Sequence, residues 1–115
     1  MRVAAIISDL MLFSRIDAAV NASGGTLLRV DDPADLPTEA SLDIVLIDWS
    51  ARRAHWASRL TAWHGTAGHP RIVLFGRHTD LEAHAAARAA GFGPMWARSK
   101  LITELPRLVH GTDAA

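Results

Sequence analysis

The sequence predicts a doubly wound α/β domain, in which five parallel strands form one sheet and helices cover both of its faces. This prediction rests on the alternation of two kinds of segment along the chain. Short apolar runs rich in β-branched residues alternate with segments of helical periodicity, a pattern typical of βαβ units and a parallel sheet. Crossovers in such a sheet are right-handed and place helices on both faces. The 115 residues suit one compact domain, which we predict over 1–110, followed by a disordered tail over 111–115.

Each predicted strand is a short apolar run bounded by polar residues or glycine. An uninterrupted apolar run suits a strand that is covered on both faces, because side chains on both of its sides are then buried. The five strands are predicted over 3–7, 26–30, 44–47, 72–75 and 95–97.

The first two helices are predicted from the residues at their boundaries. Asp9 follows the first strand, apolar residues then recur at intervals of three and four, and Gly24-Gly25 supplies a carboxyl-terminal stop. Asp32 suits an N-cap, and Pro33 suits the first helical position. Another proline follows four residues later, so this second helix is predicted to be short.

Three further helices are predicted in the second half of the chain. The third, over 51–63, carries alanine and leucine among several arginines, as an amphipathic helix does. The fourth, over 79–90, is rich in alanine, and Thr79 and Glu82 have the spacing of a capping box at its start. Ser99 suits the cap of a fifth and last helix.

The composition argues against several classes of function. The chain has no cysteine, which excludes disulfides, thiolate catalysis and cysteine-bound metals, and which suits a reducing cytoplasm. Twelve basic residues balance twelve acidic ones, so no strong electrostatic surface for nucleic acid is expected. No apolar run reaches the roughly 20 residues of a membrane-spanning helix. We therefore expect a cytoplasmic protein that binds neither nucleic acid nor membrane.

Two carboxylates, Asp9 and Asp48, directly follow apolar strands. Ligands of open parallel sheets bind beyond the carboxyl ends of the strands, close to the point where the strand order reverses. Two carboxylates at neighbouring strand ends form a candidate site for a divalent cation such as Mg²⁺. The alternative is that each aspartate only caps the helix that follows it.

At these strand ends the sequence resembles the response-regulator receiver family, and the resemblance covers nearly the whole predicted domain. In that family the first strand ends in two acidic residues that hold Mg²⁺, and the third ends in the aspartate that accepts a phosphoryl group. The fourth ends in Thr or Ser and the fifth in Lys-Pro. Here the matching positions are Ser8, Asp9, Asp48, Gly76 and Arg98. The resemblance implies a CheY-like, flavodoxin-like three-layer α/β/α fold with Asp48 at the phosphoacceptor position.

Several of these positions depart from the family's pattern. Ser8 removes one negative charge from the metal site, which lowers the affinity expected for Mg²⁺. Gly76 has no hydroxyl to bind a phosphoryl oxygen. Arg98 replaces lysine by a wider fork that prefers bidentate contacts with carboxylates, and Met95 stands at the family's aromatic switch position. The resemblance is therefore to an atypical receiver, or pseudo-receiver, whose frame matches the family better than its site does.

Two interpretations of the site follow. In the first, Asp48 accepts a phosphoryl group weakly, while Asp9 and Ser50 hold Mg²⁺. In the second, Arg98 pairs with Asp48 or Asp9, takes the place of the cation and fixes one conformation, because arginine is suited to charge-assisted, bidentate pairing. We favour the second interpretation and expect no cofactor other than weakly bound Mg²⁺.

A candidate surface for a protein partner lies on the predicted third helix. Trp56 and Trp63 are seven residues apart and so share one helical face, and Arg52 and Arg53 lie nearby. Tryptophan is enriched at interaction hot spots, but burial in the core is the alternative for both rings. A homodimer through the predicted fourth and fifth helices is a second candidate interface, since alanine allows helices to approach closely.

Other catalytic and metal sites find little support in the sequence. Glycine-rich phosphate-binding loops are absent. His78, Asp80 and His84 form a metal-like cluster, but zinc usually requires a fuller set of ligands. A triad of Ser8, His78 and Asp48 would lack the sharp turn that presents a nucleophilic serine in hydrolases.

Three functions are compatible with these residues. The leading hypothesis is a stand-alone, non-enzymatic regulatory domain that acts through protein–protein contact and is not phosphorylated. The first alternative is a weak, Mg²⁺-dependent phosphoacceptor at Asp48 in two-component signalling. The second alternative is a small-molecule sensor that uses the cleft at the strand ends.

Overall fold

A parallel sheet forms the centre of the computed structural model, which describes residues 1–38, 42–66 and 70–110. Within these ranges the sheet has five strands in the order β2-β1-β3-β4-β5, which confirms the predicted fold class. The strands are β1 (Arg2–Ile6), β2 (Thr26–Arg29), β3 (Ile44–Asp48), β4 (Arg71–Gly76) and β5 (Trp96–Ala97). Each lies within two residues of its predicted bounds. The predicted tail over 111–115 lies outside the described residues.

The described ranges contain four α-helices and two short 3₁₀ turns. The helices are α1 (Leu10–Ala22), α2 (Trp56–Thr66), α3 (Leu81–Ala89) and α4 (Arg98–His110), and the 3₁₀ turns are Pro33–Asp35 and Trp49–Ala51. The predicted third, fourth and fifth helices therefore correspond to α2, α3 and α4. None of the helices in the described part of the chain has both the length and the apolar character needed to cross a membrane.

The two faces of the sheet carry separate hydrophobic clusters. Side chains alternate along β1, so that Val3 and Ala5 belong to one cluster and Ala4 and Ile6 to the other. Leucines of α1 and α4 pack on the first face, and tryptophans and alanines of α2 and α3 pack on the second. The inner strands β1, β3 and β4 are buried on both sides over most of their length, which accounts for their apolar runs. The edge strand β2 is mostly exposed.

The strand order reverses between β1 and β3, since β2 lies on one side of β1 and β3 on the other. The register pairs Ile6 with Ile47 and Asp48 with Phe75. All five strands are parallel, so their carboxyl ends meet along one edge, which we call the carboxyl edge. The residues that follow β1, β3, β4 and β5 are thereby brought together.

The second and third helices differ most from those predicted from the sequence. The second is only a single 3₁₀ turn, because the chain is already extended at Leu36, where ψ is 133°. The third helix begins at Trp56 and not at residue 51. Arg52 has a ψ of 148°, and this extended residue separates the turn after β3 from α2.

The starts of α3 and α4 also differ from the prediction. The N-cap of α3 is Asp80, whose Oδ1 accepts a hydrogen bond from the backbone N–H of Ala83 across 3.0 Å. Thr79 therefore does not cap this helix, and the predicted capping box is wrong. Helix α4 begins at Arg98, one residue before the predicted cap at Ser99. This start places the Arg98 side chain directly at the carboxyl edge.

Candidate functional site

Asp48 is the last residue of β3 and the one buried charged residue among those described. Its side chain is 5% exposed, and its Oδ2 accepts a hydrogen bond from Nη2 of Arg98 across 3.1 Å. Its Oδ1 is buried and has no hydrogen-bond partner within the described part of the chain. A buried carboxylate with only one paired oxygen is costly.

Asp9 has two roles at the end of β1. Its Oδ1 caps α1 by accepting hydrogen bonds from the backbone N–H groups of Met11 and Leu12, across 3.0 and 3.2 Å. Its Oδ2 accepts from Nη1 of Arg98 across 3.1 Å. The Leu12 N–H lowers the pKa of Asp9 most, and the Met11 N–H and Arg98 lower it further, against an opposing effect of desolvation. Both the capping and the pairing expected from the sequence therefore occur in this one residue.

Arg98 joins the two aspartates. Its guanidinium uses separate terminal nitrogens for Asp9 and Asp48, which a planar fork with several donors can do and a lysine ammonium does less well. The side chain is 40% exposed, so the pair of contacts lies at the boundary between core and solvent. The pairing favoured from the sequence is present, and it involves both carboxylates.

The arrangement does not fit a Mg²⁺ ion held by Asp9 and Asp48. Three of their four carboxylate oxygens already accept hydrogen bonds, two of them from Arg98. Mg²⁺ requires six oxygen ligands in near-octahedral geometry, and Ser8 contributes no carboxylate. Across residues 1–38, 42–66 and 70–110, no group of three or more His, Asp or Glu side chains could hold a metal ion.

Ser50 and Gly76 lie side by side at the carboxyl edge. The Ser50 hydroxyl accepts a hydrogen bond from the backbone N–H of Arg77 across 2.9 Å. A Cβ atom added to Gly76 would lie 2.3 Å from the Ser50 Oγ, so Ser50 occupies the space that a larger residue at position 76 would need. Met95, which stands at the family's switch position, is buried, and its Sδ would lie 3.1 Å from a Cβ atom added to Gly76.

Several clefts open at the carboxyl edge, and two of them involve the predicted site residues Ser8 and Asp48. The larger, of about 480 Å³, lies where the strand order reverses, and it is lined by Ile6, Ile7, Ser8, Val30, Asp31, Ala51, Arg53 and Trp56. The smaller, of about 280 Å³, lies over the paired carboxylate and is lined by Asp48, Ser50, Ala51, Arg77 and Arg98. The sequence interpretation placed the end of the fourth strand at this edge but did not name Arg77, the residue directly after β4, as part of the site.

The two tryptophans of the predicted partner surface on α2 are buried and so are not part of a surface. Trp56 is 4% exposed and Trp63 is 7% exposed, and both belong to the core cluster. Their seven-residue spacing places them on one face, as predicted, but that face points toward the sheet. Of the predicted arginines, Arg52 donates to the backbone carbonyl of Trp49 across 3.2 Å, and Arg53 is exposed.

The Trp56 indole is part of a contact that the sequence interpretation missed. Its Nε1 donates to Oδ2 of Asp32 across 3.3 Å, and Nε2 of His55 lies 2.5 Å from the same oxygen. Asp32 was identified as an N-cap, and its Oδ1 does accept from the backbone N–H of Ala34 across 2.9 Å. No local pattern reveals the contact with α2, because the partners are 23 and 24 residues apart.

The metal-like cluster has structural roles in this fold. Asp80 caps α3, and the His84 ring lies 3.1 Å from the backbone carbonyl of His78. The three side chains do not form a metal-binding group.

Comparisons with known proteins identify the fold. No protein-family model and no curated protein matches the sequence. Among solved structures, the chain is similar to a response regulator from Hahella chejuensis, with a TM-score of 0.71, 17% identity, and 98% and 92% of the two chains covered. It is also similar to a CheY-like receiver domain protein from Methanospirillum hungatei JF-1, with a TM-score of 0.70, 10% identity, and coverage of 98% and 96%.

A receiver domain protein from Clostridium thermocellum is similar as well, with a TM-score of 0.67, 15% identity, and coverage of 98% and 97%. At these identities the likeness concerns the fold. Both chains of each pair are covered almost completely, so the likeness is not limited to a shared βαβ unit. The chain therefore has the flavodoxin-like α/β/α fold of response-regulator receiver domains, with a guanidinium between the two carboxylates of its carboxyl edge.

Proposed function

We propose that the chain is a pseudo-receiver, a regulatory domain that acts in the cytoplasm through protein–protein contact and is not phosphorylated. It catalyses no reaction. The observation that carries this proposal is the bridge from Arg98 to Asp9 and Asp48, with both contacts at 3.1 Å. The bridge lies at the position where the resemblance to receivers would place the metal ion and the phosphoacceptor.

The bridge opposes phosphorylation for two physical reasons. A carboxylate oxygen must be free to attack phosphorus, and Oδ2 of Asp48 accepts a charge-assisted hydrogen bond, which reduces its nucleophilicity. Phosphoryl transfer also relies on metal ions to neutralise the charge of the transferred group, and the guanidinium occupies the space between the two acids.

A specific observation favours the alternative of a weak phosphoacceptor. Oδ1 of Asp48 has no hydrogen-bond partner among the residues described, and Asp48 lines a cleft together with Arg77 and Arg98. Two guanidinium groups beside a free carboxylate oxygen could neutralise part of the charge of a phosphoryl group. The two functions therefore differ in whether Arg98 releases Asp48 in solution.

Intact-mass spectrometry after incubation with Mg²⁺ and acetyl phosphate distinguishes the two functions. We expect no adduct on the wild-type chain under conditions that modify an ordinary receiver domain in the same mixture. Asp48→Asn is the control for the site of any modification. A single phosphoryl adduct on the wild type that is absent from Asp48→Asn would exclude the pseudo-receiver.

Arg98→Ala tests the bridge itself. Removal of the guanidinium frees Oδ2 of both aspartates, so we expect this variant to gain stabilisation by Mg²⁺, measured as a rise in Tm. The wild-type chain is expected to show no such rise. Equal stabilisation of both chains would mean that Arg98 does not take the place of the cation.

The partner is proposed to be a protein, and a homodimer through α3 and α4 is the form that the sequence predicts. Leu81, at the start of α3, is 76% exposed, and a partner helix would cover it. Sedimentation velocity of the wild type and of Leu81→Asp tests this interface, with Met11→Asp as a control on the 81% exposed methionine of α1. A monomer at all concentrations would exclude the homodimer.

A small-molecule sensor is the remaining alternative, and the cleft of about 480 Å³ favours it. Its lining combines apolar Ile6, Val30 and Trp56 with Ser8, Asp31 and Arg53, as ligand sites usually do. A ligand that raised the Tm of the wild type but not of Arg53→Ala, without Mg²⁺ or phosphate, would support this function.

A further inference from the structure

Ser50 connects two loops at the carboxyl edge through a single hydrogen bond. It lies in the 3₁₀ turn after β3, and Arg77 is the first residue after β4. The register of these strands ends with the pair of Asp48 and Phe75, so the 2.9 Å contact from the Arg77 N–H to the Ser50 Oγ joins the chains just beyond the sheet. A side chain thus continues the connection between the two strands where their backbone pairing ends.

Position 76 requires glycine because neighbouring side chains leave no room for a Cβ atom. The backbone conformation there does not require glycine. Gly76 is buried at the end of β4, and the glycines with positive φ in the described chain are Gly24 and Gly91. A Cβ at position 76 would lie 2.3 Å from Oγ and 3.1 Å from Cβ of Ser50. It would also lie 3.1 Å from Sδ of Met95. Any larger residue at position 76 therefore excludes the present rotamer of Ser50.

We propose that Ser50 is a positioning residue that holds the loop between β4 and α3 through its hydrogen bond with the Arg77 N–H, a contact that we call the Ser50 latch. Glycine at position 76 leaves the space that the Ser50 side chain needs for this contact. The loop carries Arg77, which lines the Asp48 cleft together with Arg98. The Arg98 bridge joins the ends of β1, β3 and β5, and the Ser50 latch joins the ends of β3 and β4. The two devices together hold this part of the carboxyl edge in one conformation.

The regulatory role of this latch rests on the proposed function, that of a pseudo-receiver. A domain that presents one fixed surface needs its loops held without a phosphoryl group. The Ser50 hydroxyl accepts the hydrogen bond of the Arg77 N–H without a phosphoryl group at the site. The loop after β4 is therefore held in its present position whether or not Asp48 carries such a group. Release of Arg98 alone would therefore leave the loop after β4 in its present place.

A double-mutant cycle tests the spatial coupling of Ser50 and Gly76. Gly76→Ala introduces the clashing Cβ, and we expect the Tm to fall by about 4–10 °C, as overpacking does. Ser50→Ala removes the atom nearest to the new methyl group. We expect the Ser50→Ala/Gly76→Ala variant to recover at least about half of the loss, because coupled neighbours are not additive.

The matched control is Gly65→Ala in α2, where an added Cβ meets nothing within 4 Å. This variant should keep or raise the Tm, since alanine favours a helix over glycine. A Gly76→Ala variant as stable as the wild type would overturn the proposal. A double variant no more stable than Gly76→Ala would also overturn it.

Amide hydrogen exchange measures the latch without the clashing variant. Ser50→Ala should speed the exchange of the Arg77 amide about five- to tenfold, the loss expected for one hydrogen bond. Ser58→Ala is the control, because the Ser58 hydroxyl donates only to the carbonyl of His55 within its own segment. Unchanged exchange at Arg77 in Ser50→Ala would overturn the latch.

The two proposals fail in distinguishable ways. A phosphoryl adduct on the wild-type chain would exclude the pseudo-receiver but would leave the coupling of Ser50 and Gly76 measurable. If the effects of Ser50→Ala and Gly76→Ala on Tm were additive, and if the Arg77 amide were not protected from exchange, the latch would be excluded. Neither result would bear on the Arg98 bridge.

Discussion

Nη2 of Arg98 donates a hydrogen bond to Oδ2 of Asp48 across 3.1 Å, and this contact joins residues that are 50 positions apart. The Asp48 side chain is 5% exposed and the Arg98 side chain is 40% exposed. The acid is therefore inside the protein and the base is at its surface. Loss of the arginine leaves a buried charge without a partner, whereas loss of the aspartate leaves the arginine with its contact to Asp9.

Arg98→Ala should lower the free energy of unfolding by about 2–4 kcal/mol, because it leaves the Asp48 carboxylate buried and unpaired. Asp48→Asn in the same background removes that charge, so the double variant should be more stable than Arg98→Ala alone. Urea denaturation of the wild type, both single variants and the double variant measures this coupling. An Arg98→Ala variant within about 0.5 kcal/mol of the wild type would mean that the contact is not maintained in solution.

Asp9 offers a way to separate helix capping from ion pairing. Asp9→Ala removes the acceptor for the Met11 and Leu12 N–H groups and should lower the urea midpoint of unfolding, because it removes the N-cap of α1. Asp9→Asn keeps a capping oxygen, and the half-exposed contact with Arg98 contributes little, so this variant should remain close to the wild type. Urea midpoints decide the matter, and equal losses in both variants would show that the charge of Asp9 matters more than its capping oxygen.

The fold could be predicted because each strand is an apolar run and each run ends at a polar residue or glycine. The Arg98 bridge could also be predicted. Parallel strands bring their carboxyl ends to one edge, and Asp9 and Asp48 lie at the ends of the adjacent strands β1 and β3. Strand β4 lies between β3 and β5, so Arg98 reaches the two acids only through its long side chain. The prediction that Arg98 pairs with Asp48 or Asp9 comes from the resemblance to receiver domains, which puts Arg98 at the position of the family's lysine.

The sequence could not reveal features that depend on packing between distant segments. The spacing of Trp56 and Trp63 identifies a shared helical face but not the direction of that face, which the cluster beneath α2 determines. The contact between Ser50 and Arg77 depends on the absence of a side chain at Gly76. Single residues in extended conformation, such as Arg52, also delay a helix without a local sequence signal.

Burial of Trp56 makes it unsuitable as a probe of partner binding. Trp56→Ala should lower the free energy of unfolding by about 3–5 kcal/mol, as other large-to-small substitutions in cores do, whereas Arg53→Ala at the exposed start of the segment should stay within about 0.5 kcal/mol. Urea denaturation of both variants measures the difference. A small effect of Trp56→Ala would contradict the packing of this ring against the sheet.

The contacts of Asp32 predict how stability depends on pH in acid. The Ala34 N–H lowers the pKa of Asp32 most, His55 and Trp56 lower it further, and desolvation acts in the opposite direction. The pKa in the folded chain therefore lies below its ordinary value of 3.8. Asp32 then contributes stability above its unfolded pKa, and this contribution is lost as the pH falls through the lower, folded pKa.

Carboxyl NMR titration of the folded chain gives the pKa of Asp32 directly, and two variants identify its cause. His55→Ala removes the contact with Oδ2 but leaves the Ala34 N–H in place, so the pKa should rise only part of the way toward 3.8. Asp32→Asn cannot titrate, so its stability relative to the wild type should improve as the pH falls below about 4. An Asp32 pKa at or above 3.8 in the wild type would mean that neither the Ala34 cap nor the contact with His55 and Trp56 is maintained in solution.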